Sequence, residues 1–90
     1  MYALHIDDMA YFVYILECAD GTMYVGSTPD ITKRLKAHNG EARGGAKYTS
    51  GRRPVILRYS EDCTSRPAAL RREHELKSLP RAKKIALCTL

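Results

Sequence analysis

Tyr11-Phe-Val-Tyr-Ile-Leu-Glu-Cys-Ala-Asp-Gly-Thr-Met-Tyr-Val-Gly-Ser27 is the stretch that decides the fold. Its two halves, Tyr11 to Cys18 and Thr22 to Ser27, are dense in aromatic and β-branched residues, which suit a pleated, half-buried surface. Ala19-Asp20-Gly21 between them carries turn chemistry, so the stretch predicts a β-hairpin. The loop length sets what the hairpin can do. A two-residue Asp20-Gly21 turn puts Tyr14 and Tyr24 on opposite faces, because side chains alternate along a strand. A three-residue loop with Gly21 left-handed pairs Cys18 with Thr22, Leu16 with Tyr24 and Tyr14 with Gly26. Both tyrosines then share one face. Gly26, opposite Tyr14, would leave an opening for a substrate.

Downstream, Thr28-Pro29-Asp30 predicts a helix start, with threonine as cap and the aspartate at the positive end of the dipole. Ile31, Leu35 and His38 share one stripe of that helix, and Asn39-Gly40 ends it. Residues 40–51 hold four glycines and little apolar content, and are expected as a long loop. Pro54 leads into a third strand, Val55 to Tyr59. Thr64, Ser65 and Pro67 open a second helix running to about Leu79, where Pro80 breaks it before a short final helix, Arg81 to Leu87. The order ββαβαα predicts an α+β fold, a small three-stranded antiparallel sheet flanked by helices. Residues 9–90 are expected as a single domain, with residues 1–8 as an N-terminal extension.

Fifteen Lys and Arg against ten Asp and Glu leave a net charge of +5. That excess favours a polyanionic partner, since phosphates attract lysine and arginine and release counterions on binding. Cys18, Cys63 and Cys88 form no Cys-x-x-Cys pair and are expected as reduced, packed thiols. Residues 1–10 carry Asp7 and Asp8 and no long apolar run, which predicts neither a signal peptide nor a membrane span. A cytoplasmic protein without a membrane partner is the expectation.

Phe12-Val13-Tyr14 and, ten residues later, Tyr24-Val25-Gly26 resemble the paired tripeptides of the GIY-YIG nuclease superfamily. Arg34 matches the arginine of the family's first helix, and Glu73, in Ala69-Leu-Arg-Arg-Glu73, matches its later glutamate. The resemblance runs over residues 11–87. Gly45-Ala-Lys-Tyr-Thr49, Arg53-Pro54 and Glu73 to Lys77 look like the small stand-alone bacterial proteins of the YhbQ-like group. Phe12 departs from the first tripeptide's glycine, which affects packing at the sheet end. The resemblance implies a metal-dependent endonuclease acting on nucleic acid, expected to be DNA, with structure or ends recognised rather than sequence and DNA repair as the setting. It implies one divalent metal, Mg²⁺ or Mn²⁺, held by Glu73, with tyrosine hydroxyls positioning or deprotonating the attacking water. Both hydroxyls are needed for that chemistry, which favours the three-residue loop.

The residues support the same positions on physical grounds. Phosphodiester hydrolysis needs an activated water and a cation at the phosphate. Glu73 falls between Ala69 and Leu76 on its helix's packing face, and a carboxylate there needs an ion-pair partner, Arg34 or Lys77, or a metal. Tyr14, Tyr24, Arg34, His38 and Glu73 are the candidate catalytic residues. For His38 a satisfied, partly buried histidine is the slightly favoured reading over a catalytic one. Gly26, Ser27, Lys47, Tyr48, Arg52 and Arg53 are the candidate substrate contacts. The alternative reading is a nucleic-acid-binding module with the same fold and little hydrolytic power. A monomer or weak dimer is expected, with an unidentified protein supplying any targeting.

Overall fold

The computed structural model describes residues 10–89, so the expected extension at residues 1–8 lies outside the described residues. The hairpin forms as β1, Tyr11–Glu17, and β2, Met23–Thr28. Helix α1, Ile31–His38, follows, then a four-residue helix α2, Lys47–Ser50. Strand β3, Ile56–Cys63, precedes helices α3, Arg66–Lys77, and α4, Arg81–Cys88. The sheet is antiparallel in the order β2-β1-β3, so the architecture is α+β with three strands and flanking helices.

The hairpin adopts the longer loop. Cys18 N–H donates to the Thr22 carbonyl at 2.8 Å, Gly21 N–H donates to the Cys18 carbonyl at 2.9 Å, and Gly21 has φ +84°. A left-handed residue there is cheap only for glycine. Tyr14 consequently faces Gly26 and Leu16 faces Tyr24.

Central strand β1 is buried on both faces: Val13, Tyr14, Ile15 and Leu16 are at most 2% exposed. Val13 and Ile15 pack with Val25 against Ala69 and Leu76 of α3. Tyr14 and Leu16 face the other way, towards Tyr24 and towards Ile31 and Leu35 of α1. The sheet is therefore a thin layer between α1 and α3. A bulge at Ile15/Leu16 aligns Tyr59 with Ile15 and Leu57 with Leu16, skipping Arg58. The skip lets Tyr59 join the α3 side and Leu57 the α1 side, while Arg58 pairs with Glu17 at 2.8 Å.

Three local expectations are corrected. Asp30, not Thr28, caps α1: its carboxylate accepts the Lys33 N–H at 3.0 Å, whereas Thr28 is the last residue of β2. The cap must sit directly before the first helical residue, and that residue is Ile31. Residues 40–51 are not all loop, since α2 forms within them without a side-chain cap. Strand β3 runs on past Tyr59 to Cys63. Its half-buried alternation continues through Ser60-Glu-Asp, and Glu61 is tied to Arg72 of α3 at 2.7 Å. The start of α3 is as expected, with the Ser65 hydroxyl accepting from Ala68 N–H and Pro67 in the first turn.

Two contacts fix the segment after α1. Asn39 clamps the Val55 backbone in both directions, accepting its N–H at 2.7 Å and donating to its carbonyl at 3.1 Å. Gly45 lies so close to the Ala37 carbonyl that any β-carbon there would collide with backbone. The three cysteines are free thiols. Among the described residues no helix is long and apolar enough to cross a membrane.

Candidate functional site

Tyr14 comes from the buried centre of the sheet, Tyr24 from its edge, and His38 from the last turn of α1. Their rings cluster: Tyr14 and Tyr24 lie 6.5 Å apart, and His38 lies 5.9 Å from Tyr14 and 5.1 Å from Tyr24, both edge-on. Tyr48 of α2 extends the group, 5.6 Å from Tyr24. Gly26 is what admits Tyr14. A β-carbon at position 26 would stand 2.5 Å from the Tyr14 hydroxyl and 2.7 Å from Cζ. The opening expected opposite Tyr14 is thus filled by that residue's own side chain.

A chain of hydrogen bonds orders this cluster. The Tyr14 hydroxyl lies 2.9 Å from His38 Nε2, His38 Nδ1 lies 2.9 Å from the Thr49 hydroxyl, and that hydroxyl donates to the Ala46 carbonyl at 2.9 Å. Because Thr49 spends its proton on Ala46, it accepts from Nδ1–H. Nε2 then accepts from Tyr14. Among the described residues every buried side-chain nitrogen and oxygen has a hydrogen-bond partner. Thr49, fully buried, has no signal in the sequence as part of this site.

Burial and the nearby charges of Arg34 and Arg53 push His38 down to about 4, and it stays neutral. Burial pushes Tyr14 up to about 12, against the opposing pull of the Arg34 guanidinium. Burial disfavours the charged form of both groups, so in the resting protein the proton stays on Tyr14 and His38 holds the hydroxyl in place. The Tyr14 hydroxyl commits its hydrogen to His38 and keeps a lone pair to offer.

This neutral histidine links stability to pH. Between pH 6.5 and about 4 the unfolded chain binds a proton at this position that the folded one does not. Stability falls as pH drops through that window. Thermal unfolding followed from pH 7 to 4.5 should show a falling midpoint, and a shallower fall in His38→Gln, whose amide does not titrate. Equal slopes in the two proteins would remove His38 as the cause.

Glu73 lies on the opposite side of the sheet from the tyrosines. Ser27, on the α3 face of edge strand β2, donates to Glu73 Oε1 at 2.7 Å, and Lys77 Nζ holds Oε2 at 2.8 Å. Of the two expected ion-pair partners, Lys77 rather than Arg34 is the one engaged. The groups nonetheless sense each other around the β2 edge. Glu73 raises Tyr14, and Tyr24 contributes to the rise of Lys77 behind its main cause, the Glu73 hydrogen bond. Arg34 donates to the Gly44 carbonyl and borders a cleft of about 320 Å³ with Lys33 and Arg43.

The remaining candidates have defined surroundings. Arg52 stacks over the Tyr48 ring at 4.1 Å and pairs with Asp20 of the hairpin loop at 3.0 Å. Arg53 donates to the His38 carbonyl at 2.8 Å and covers Gly40. Both arginines brace the site, a task their charge alone does not reveal. Lys47 is exposed at the start of α2, and Phe12 pairs with Thr28 at the sheet end.

The donor set around Glu73 is one carboxylate with hydroxyls. Among the described residues no group of three His, Cys, Asp or Glu could hold an ion. Such a set does not suit zinc. It fits a hard ion such as Mg²⁺, which keeps several waters and takes one or two carboxylates plus a substrate phosphate.

Comparison with known proteins gives the family. The GIY-YIG catalytic domain family matches residues 10–86. A UPF0213 protein of the archaeon Halobacterium salinarum is 51% identical over 86% of this chain and 97% of its own. One from the bacterium Desulfotalea psychrophila is 48% identical, covering 90% of this chain and 73% of its own. The solution NMR structure of a UPF0213 protein from Bacillus halodurans, 45% identical, aligns with a TM-score of 0.56 over 90% of this chain and 84% of that one.

Proposed function

This chain belongs to the GIY-YIG catalytic domain family, a nuclease family, and from that premise we propose that it is an endonuclease hydrolysing phosphodiester bonds in DNA. The observation that carries the reading is the linkage of the candidate residues. Tyr14 from β1 and Tyr24 from β2 cluster with His38, the Arg34 guanidinium of α1 pulls on the Tyr14 hydroxyl, and Glu73 of α3 is bonded to Ser27 of the same edge strand β2.

Glu73 is the anchor for a divalent ion, Mg²⁺ or Mn²⁺, with Ser27 fixing one of its oxygens. When bound, the ion supplies charge neutralisation at the phosphate as a Lewis acid. The lone pair of Tyr14 accepts a hydrogen bond from the attacking water and aims it. Tyr24, half-buried and nearer solvent, is the second hydroxyl at the phosphate. Arg34 offers a planar fork of donors to the phosphate oxygens. Lys33, Arg43 and Lys47, exposed around the site, attract the flanking backbone without reading bases. Among the described residues no element is set apart as a recognition helix, and the reading is that recognition rests on structure or ends rather than sequence.

Incubation with single-stranded, duplex and branched DNA, and with RNA, tests this reading. Cleavage of at least one DNA substrate is expected with Mg²⁺ or Mn²⁺ and none with chelator. Binding without cleavage of any substrate would instead favour a nucleic-acid-binding module.

A further inference from the structure

We propose that Lys77 is a built-in counter-ion that competes with the divalent ion for Glu73. The inference rests on the reading of Glu73 as the ion's anchor. Glu73 has two oxygens: Ser27 donates to one at 2.7 Å, and the Lys77 ammonium holds the other at 2.8 Å. Lys77 sits four residues after Glu73 on α3, a spacing that stacks the two side chains on one helix face. Glu73 is largely enclosed, with its side chain 17% exposed, whereas the Lys77 side chain is 55% exposed. An enclosed carboxylate needs a positive partner, and Lys77 supplies it in the folded protein.

The ammonium neutralises the carboxylate and repels a second cation, so a divalent ion binds Glu73 in competition with Lys77 and favours its departure. The exposed, four-carbon stem lets the ammonium swing away without disturbing the helix. The lysine thus sets how much ion the site requires, and its release leaves a cation beside the candidate phosphate position. Loss of one partly exposed ion pair by the competitor corresponds to a change in apparent affinity of roughly 2–5-fold.

Mn²⁺ binding, followed by the electron paramagnetic resonance signal of free Mn²⁺, tests this with wild type, Lys77→Met, Lys77→Arg and Glu73→Gln. Thermal unfolding confirms that each is folded. Lys77→Met should bind Mn²⁺ about 2–5-fold more tightly than wild type, and Lys77→Arg should not. Unchanged or weaker binding by Lys77→Met, with binding abolished in Glu73→Gln, overturns the competition while leaving Glu73 as the anchor. Wild-type affinity in Glu73→Gln overturns the anchor and the competition together.

Discussion

Glu73→Gln is expected to lose divalent-ion-dependent DNA cleavage by about three orders of magnitude, near 4 kcal/mol of transition-state stabilisation. The glutamine keeps an oxygen for the Ser27 hydroxyl and nearly the same volume, so α3 packs as before. What disappears is the negative charge that draws a cation to the β2 edge. Lys77 loses its partner, but it is largely exposed and can turn into solvent. Exposed pairs of this kind contribute at most about 1 kcal/mol. DNA affinity should change little, because it rests on lysine and arginine around the site rather than on one carboxylate. Cleavage rates and the thermal midpoint, measured on the same preparation, check this. Full activity would remove Glu73 from the chemistry. Unfolding would make its bonds to Ser27 and Lys77 its main role.

Gly26→Ala is expected to damage both fold and activity, although it adds only one methyl group. The new carbon would meet the Tyr14 hydroxyl at 2.5 Å, well inside contact distance. Tyr14 cannot retreat freely, since its hydroxyl is clamped to His38 and its ring abuts the buried sheet centre. Overpacking of this kind costs about 1–3 kcal/mol. Any shift that relieves it breaks the Tyr14–His38 bond and re-aims the hydroxyl. Denaturant unfolding should report the lost stability, and cleavage should fall at least about tenfold even where the variant is folded. The double variant Tyr14→Phe/Gly26→Ala should regain part of the stability but none of the activity. A fully stable, fully active Gly26→Ala would mean that Tyr14 is not held as described.

Much of this was legible in the chain itself. The hairpin register follows from counting Ala19-Asp20-Gly21 as three loop residues, once both tyrosines are required on one face. Glu73 stands out because a carboxylate between Ala69 and Leu76 lies on a packing face. What stayed hidden is what depends on approach between distant elements. Thr49 sits in a four-residue helix too short for any periodicity to register, yet it determines which nitrogen of His38 carries the hydrogen. Gly26 resembles an opening until Tyr14 is seen to occupy it. Arg52 and Arg53 look like free cations in the sequence because Asp20 and the His38 carbonyl, their partners, are 32 and 15 residues away. That Glu73 stands on the other sheet face from the tyrosines, bonded to Ser27 of β2, follows only from the three-layer packing.

Single-turnover cleavage of a labelled DNA substrate, compared for wild type, Tyr14→Phe, Tyr24→Phe and Arg34→Ala with binding measured in parallel, tests the shared site most directly. The account predicts metal-dependent cleavage by wild type. Each variant should lose about a hundredfold or more while still binding the DNA within a few-fold of wild type. Cleavage retained at the wild-type rate in all three folded variants would contradict it.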